Sequence, residues 1–346
     1  MADKIFFSPE WYPQSAVQMT WPHAETDWGY MLERVTACFV EIAGQILSRQ
    51  KLLIVCRSAE TVKFELKAFE AYFHNLSLVE LPTNDTWARD HSAISVFDGA
   101  TPVVYDFTFN GWGLKFASDY DNQITRGLFA QNKTFVPDVK YINKKAFVLE
   151  GGAIESDGKG TLLTTSECLL SPNRNSYMDK GEIEAYLKDV FGLNRVLWVD
   201  HGFLAGDDTD SHIDTLARFC DEHTIAYVKC ENKGNIHYEA LYKMEQQLKT
   251  FVDHEGNPYR LIPLPMAKTV VEDGEQLPAT YANFLIINGA VLLPFYNDAE
   301  RDTIAREQLQ AAFPDREIIG INCSALICQH GSLHCVTMQY PQGFIK

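Results

Sequence analysis

Among the eight cysteines there is no Cys-x-x-Cys pair, and no apolar run is long enough to cross a bilayer. The most apolar stretch, 281–296, is interrupted by Asn283 and by Asn288-Gly289. It falls short of the ~20 apolar residues that a spanning helix needs. The first residues, Met-Ala-Asp-Lys-Ile-Phe-Phe-Ser-Pro-Glu, show no basic lead followed by an apolar core, so no signal peptide is read there. Together these absences argue against a disulfide scaffold and a membrane protein, and a cytoplasmic location with free thiols is expected. Positive charge is scarce too. Lys and Arg number 30 against 46 Asp and Glu, a formal net charge of −16. That balance speaks against nucleic acid and anionic membrane as partners and favours a small cationic one. No Gly-rich phosphate loop follows a strand, which removes the nucleotide-binding reading.

What is present is a repeated order. Amphipathic helical patterns over 27–49, 59–74, 180–191, 238–251 and 298–313 are each followed by a short apolar run, at 52–56, 76–81, 195–199, 260–264 and 317–321. Hairpin signals lie between them. Asn288-Gly289 sits between two apolar runs, Asp98-Gly99 between 93–97 and 103–107, and Asp157-Gly-Lys-Gly160 between 152–156 and 161–165. A further pair, 216–220 and 224–229, flanks Asp221-Glu222-His223. No linker or low-complexity segment divides the chain, so 1–346 is expected to form a single α/β domain. Five ββαβ-type modules around an axis are the expected architecture, rather than one doubly wound sheet.

The chemically capable residues gather just after these strands. One segment reads Trp87-Ala-Arg89-Asp90-His91. A second reads Gly206-Asp-Asp208-Thr-Asp-Ser-His212-Ile-Asp214, and the last reads Gln329-His330-Gly-Ser-Leu-His334-Cys335. Glu150-Gly-Gly is a fourth contributor, its glycines allowing a sharp turn. If the modules are related by rotation, all four segments meet at one end of the axis.

A Cys with a His is the minimum set for a thiolate nucleophile with a proton carrier. Several carboxylates near a thiol would ordinarily blunt it by raising its pKa. The set makes sense if the substrate is itself a cation. Asp90 and Asp214 would then clamp a planar guanidinium, Cys335 would attack its carbon, His212 would protonate the departing ammonia, and Glu150 would orient His212. Trp87, Arg89 and Asp208 are assigned as further substrate contacts. No metal is expected, since neither a helical His-Glu-x-x-His nor paired Cys spacing occurs. Cys323 and Cys328 are rival nucleophiles by position alone.

Trp87-Ala-Arg89-Asp90, Glu150-Gly-Gly, the segment from Gly206 to Asp214 and the terminal His334-Cys335 closely resemble the agmatine deiminase / Porphyromonas-type peptidylarginine deiminase family. Met19-Thr-Trp21-Pro22, Asp27-Trp28 and 164–174, with its Asn-Arg-Asn, look similar as well. The resemblance covers about 18–340 and implies the pentein fold, a five-bladed α/β propeller. It also implies a cofactor-free hydrolysis with Cys335 as nucleophile, a His212–Glu150 pair, and Asp90 and Asp214 as guanidinium ligands. Three positions depart from the family pattern: His91-Ser92-Ala93 after Asp90, Gln329 to Ser332 before His334-Cys335, and Ser211 where Gly usually precedes the His. Agmatine is the expected substrate, on a route to putrescine. Peptidyl-arginine deimination, amidino transfer and a non-catalytic guanidine-binding role stay open, as does homo-oligomer formation.

Overall fold

The computed structural model describes residues 5–272 and 274–346. Its β-structure falls into five main sheets and one two-stranded ribbon. Each main sheet contains an antiparallel strand pair and a strand that runs parallel to one member of that pair. The clearest units follow the expected order. Ala217–Asp221 pairs with Thr224–Lys229, the helix Tyr238–Leu248 crosses over, and Arg260–Pro265 returns parallel. Leu285–Ile287, Ala290–Phe295, the helix Ala299–Ala312 and Glu317–Asn322 repeat the pattern. So do Ile154–Ser156, Thr161–Thr165, Lys180–Phe191 and Arg195–Val199. That last helix is bounded as a helix should be. Asp179 and Glu182 form a reciprocal capping box, and Gly192 closes it at φ 66°.

The other two units correct the sequence reading. The patterns over 27–56 and 59–81 looked like two modules, yet Lys51–Cys56 and Leu76–Glu80 lie side by side in one sheet. The missing fifth sheet is built from Ile94–Asp98, Thr101–Thr108 and Lys140–Val148, with Ile5–Phe6 on its edge. Lys140–Val148 carries three lysines and is mostly solvent-facing, so it has no apolar signature to read. The opposite problem hides Gln14–Thr20, which is buried despite two glutamines, a serine and a threonine. This strand pairs antiparallel with Thr337–Pro341, so the two ends of the chain complete one sheet together. Among the described residues no helix is long and apolar enough to cross a membrane.

In all five sheets the segment leaving the outermost parallel strand is built of loops and short helical turns, the fourth also holding the ribbon Val270–Glu272 and Glu275–Leu277. These segments are 81–93, 149–153, 200–216, 266–284 and 323–336. Residues from all five converge.

Candidate active site

Cys335 is buried and is held through its backbone. Asn283 Oδ1 accepts the N–H of His334 at 2.8 Å and that of Cys335 at 3.3 Å, and it lies 3.4 Å from Cys335 Sγ. The Cys335 carbonyl accepts the N–H of Arg89, which ties the thiol-bearing segment to the single helical turn Ala88–His91. Asp90 sits on that turn. Its Oδ1 accepts the N–H of Gly152 at 3.0 Å, and its Oδ2 accepts the indole N–H of Trp112 at 2.9 Å.

Trp112 reaches Asp90 from a turn in which four consecutive residues, Gly111 to Leu114, have positive φ. A bulky residue at φ 55° is costly and persists only where its surroundings hold it there. Ser211 shows the same economy. It stands where the family usually has Gly, and its φ of 61° explains that preference. Here the turn is held by Ser211 N–H to Asp207 Oδ2 at 2.7 Å and by the hydroxyl to Glu167 Oε2 at 3.1 Å.

His212 Nδ1 lies 3.6 Å from Asp90 Oδ1, while its buried Nε2 has no hydrogen-bond partner. Asp214 accepts His334 Nδ1 on Oδ2 at 2.7 Å, and its Oδ1 is likewise buried without a partner. Gly152 marks the point of convergence. A Cβ placed there would lie 2.6 Å from His212 Nδ1, 2.9 Å from Asp90 Oδ1 and 3.1 Å from Asp214 Oδ2. Gly152→Ala is therefore expected to displace all three groups and lower kcat/KM roughly 100-fold. Steady-state kinetics beside a melting curve would check it; unchanged turnover would contradict the geometry.

Beside Asp90 and Cys335 is a cavity of about 120 Å³ lined by Asp27, Asp85, Trp87, Asp90, Trp112, Phe116, Asp208, Thr209, Gln329, His330, Gly331 and Cys335. Trp87 packs against Gly331 so closely that a Cβ there would come within 2.1 Å of the ring. The altered Gln329–Ser332 approach thus keeps glycine where the indole needs it.

Two expectations are corrected. Arg89 does not face the cavity: its guanidinium points to Gln339 at 2.7 Å, Met338 at 3.4 Å and Glu10 at 3.5 Å. Glu150 does not hydrogen-bond His212. Both its oxygens accept Arg174 Nε at 3.0 Å, and its carboxylate lies within 4.8 Å of His212 and of Cys168. Asn283, Trp112, Arg174, Cys168 and His334 were given no role from the sequence. Cys168 and Arg174 lay inside 164–174, and His334 inside His334-Cys335, two segments that carried the resemblance.

Charge in the site is finely set. Burial pushes the Cys335 thiol well above its ordinary value, and Asp214 and Asp90 push it further. Burial would depress His212, but Asp90, with Cys168 and Glu150, outweighs it and raises the imidazole to about 10. Burial also raises Asp90, against the pull of His212. For Asp214 burial is overcome by the hydrogen bond and charge of His334, so its carboxyl titrates below the usual range. In the free protein these shifts favour a neutral Cys335 thiol and a protonated His212 imidazole.

Two buried donor clusters have the proximity a metal would need, Glu150–Cys168–His212 and Glu10–Glu155–His334. Their carboxylates already face guanidinium groups, those of Arg174 and Arg218 respectively. A cation would have to displace an arginine.

A sequence model of the Porphyromonas-type peptidyl-arginine deiminase family matches residues 6–341. This chain belongs to that family. Among solved members, a Porphyromonas gingivalis protein provisionally named arginine deiminase is 55% identical, with a TM-score of 0.95 over 99% of this chain and 100% of that one. The C. jejuni agmatine deiminase, solved with substrate bound, is 38% identical, with a TM-score of 0.90 over 98% and 97% of the two chains. A Vibrio parahaemolyticus protein provisionally named agmatine deiminase is 33% identical over 98% of this chain and 97% of its own.

Proposed function

We propose that this chain is a hydrolase that converts agmatine and water to N-carbamoylputrescine and ammonia through a covalent intermediate on Cys335. The observation that carries the reading is a pair of carboxylates, Asp90 and Asp214, that converge with the His212 imidazole at Gly152 near the buried thiol of Cys335. The solved C. jejuni relative, in which a cysteine is replaced by serine, holds its substrate and is named an agmatine deiminase.

A bound guanidinium neutralises the two carboxylates that raise the Cys335 thiol, so substrate binding favours the thiolate, and the thiol proton leaves to solvent. Cys335 Sγ then bonds to the guanidinium carbon, one C–N bond breaks, and His212 passes its proton to the leaving ammonia. A water attacks the amidino carbon and gives a proton to His212, and the C–S bond breaks to release the ureido product and the thiol. Glu150, fixed by Arg174, supplies negative charge behind the imidazole. Trp87 and Trp112 form walls for the alkyl chain, and Asp208 accepts the distal ammonium. Arg89 acts through the backbone of Cys335 rather than on the substrate.

Substrate choice follows from the lining. His330 is its only residue able to carry positive charge, against Asp27, Asp85, Asp90 and Asp208. The α-carboxylate of free arginine would meet those acids unpaired, whereas agmatine presents an ammonium there. In this reading 1–346 is one catalytic domain with five units around a common axis. It is cytoplasmic, and its product is one hydrolysis away from putrescine.

Ammonia release from agmatine, arginine and an arginine peptide tests the assignment. Agmatine should exceed the other two by on the order of 100-fold or more in kcat/KM. Faster turnover of arginine or of the peptide would overturn it.

A further inference from the structure

Next to the nucleophile in the chain, His334 is held between two acids. Its Nδ1 is 2.7 Å from Asp214 Oδ2, and its Nε2 is 2.6 Å from Glu10 Oε2. None of the three side chains is more than 4% exposed. Burial acts to raise Glu10, but His334, Arg218 and Arg89 together bring it far below the usual carboxylate range. Asp214 is also lowered. Both ring nitrogens thus make short hydrogen bonds to carboxyl groups. The ring stands with Arg89 and Arg218 in a buried network against Glu10, Glu155 and Asp214.

By occupying Oδ2, His334 leaves Oδ1 as the buried Asp214 oxygen without a partner. Its hydrogen bond and charge also act against burial to lower the Asp214 carboxyl. The remaining groups that act on Asp214 are His212, Arg218 and Arg89. Glu155 acts on His334 in turn. A chain of ion pairs thus runs from the Glu10 segment, through the residue next to the nucleophile, to a guanidinium ligand.

We propose that His334 is a positioning residue for substrate recognition: anchored on Glu10, it fixes the rotamer of Asp214 so that this carboxylate receives a guanidinium N–H. This rests on the reading of Asp214 as a guanidinium ligand. A merely structural histidine would stabilise the fold without setting the pH at which substrate is held.

The test uses the Cys335→Ser protein, in which binding is separated from turnover, with and without His334→Gln. Agmatine affinity is measured by calorimetry from about pH 5 to about pH 9. The sign follows from Asp214. With His334 present its pKa is depressed, so binding persists to low pH. Without His334, burial and Asp90 raise it, so binding is lost at a higher pH as pH falls. His334→Gln should move the acid limb up by roughly one unit or more and weaken binding near neutral pH about tenfold. If the parent binds and the variant keeps the same limb, His334 has no positioning role. If the parent binds no agmatine at any pH, the substrate reading itself fails, and this role with it. Should His334→Gln not fold, nitrogen-15 histidine NMR of the parent decides. His334 ring signals that shift when agmatine is added support the proposal; signals that agmatine leaves unmoved overturn it.

Discussion

Cys335→Ser is expected to abolish ammonia release from agmatine, with kcat lower by on the order of 10⁴-fold or more, while agmatine still binds. A serine hydroxyl fits the space of the thiol and keeps the contact with Asn283 Oδ1, so the fold should survive and a melting curve should hardly move. What it lacks is an accessible anion. A bound guanidinium lowers the proton affinity of a thiol far enough to yield a nucleophile, but not that of a hydroxyl. Acid-quenched wild-type protein should carry a mass increase equal to agmatine less ammonia, and the variant should carry none. Two results would sink the assignment: near-normal turnover in the variant, or the same loss on replacing Cys168 or Cys328. Cys328 is a poor rival in the structure, since its thiol donates to Glu272 at 2.8 Å and is pushed up to about 11, first by burial and then by that carboxylate.

The second large effect is on stability. Arg218 is fully buried, donates to Glu155, approaches Glu10 at 2.9 Å and bonds the carbonyl of Phe284 at 2.6 Å, with its guanidinium over the Phe284 ring. Arg218→Met fills similar volume but leaves two carboxylates inside the protein with less positive charge. The expected cost is about 3–5 kcal/mol, a large part of a typical total stability. Urea unfolding would read it as a lower midpoint at unchanged slope. Loss should be greatest at neutral and higher pH and smaller in acid, where the stranded carboxylates take up protons. A change within about 0.5 kcal/mol would mean that the network contributes little.

Arg218 also shows what a sequence hides. It stands as one charge inside the apolar run 216–220, and that oddity was the only available signal. Nothing in the chain says that its partners are Glu10 and Glu155, 208 and 63 residues away. Asn283 is a similar case. It looked like an interruption of an apolar stretch, whereas its side-chain oxygen holds the backbone of His334 and Cys335. Strands were legible where alternation or an apolar run marked them, as at Arg195–Val199. They were lost where a charged edge, Lys140–Val148, or a buried polar strand, Gln14–Thr20, broke the pattern.

The sequence by itself determined the order of helices and hairpins, the segments that carry chemistry, and the acidic balance suited to a cationic substrate. These are local properties, written in periodicity, turn residues and residue type. Only the tertiary structure decided that the helical patterns 27–49 and 59–74 serve one sheet and that both ends of the chain complete it. It alone turned Arg89 away from the cavity, gave Glu150 to Arg174 and placed His334 between Asp214 and Glu10. Those outcomes depend on which side chain of suitable charge lies nearest once distant segments pack. Burial then makes each unpaired charge too costly to leave alone, so partners are chosen in space rather than along the chain.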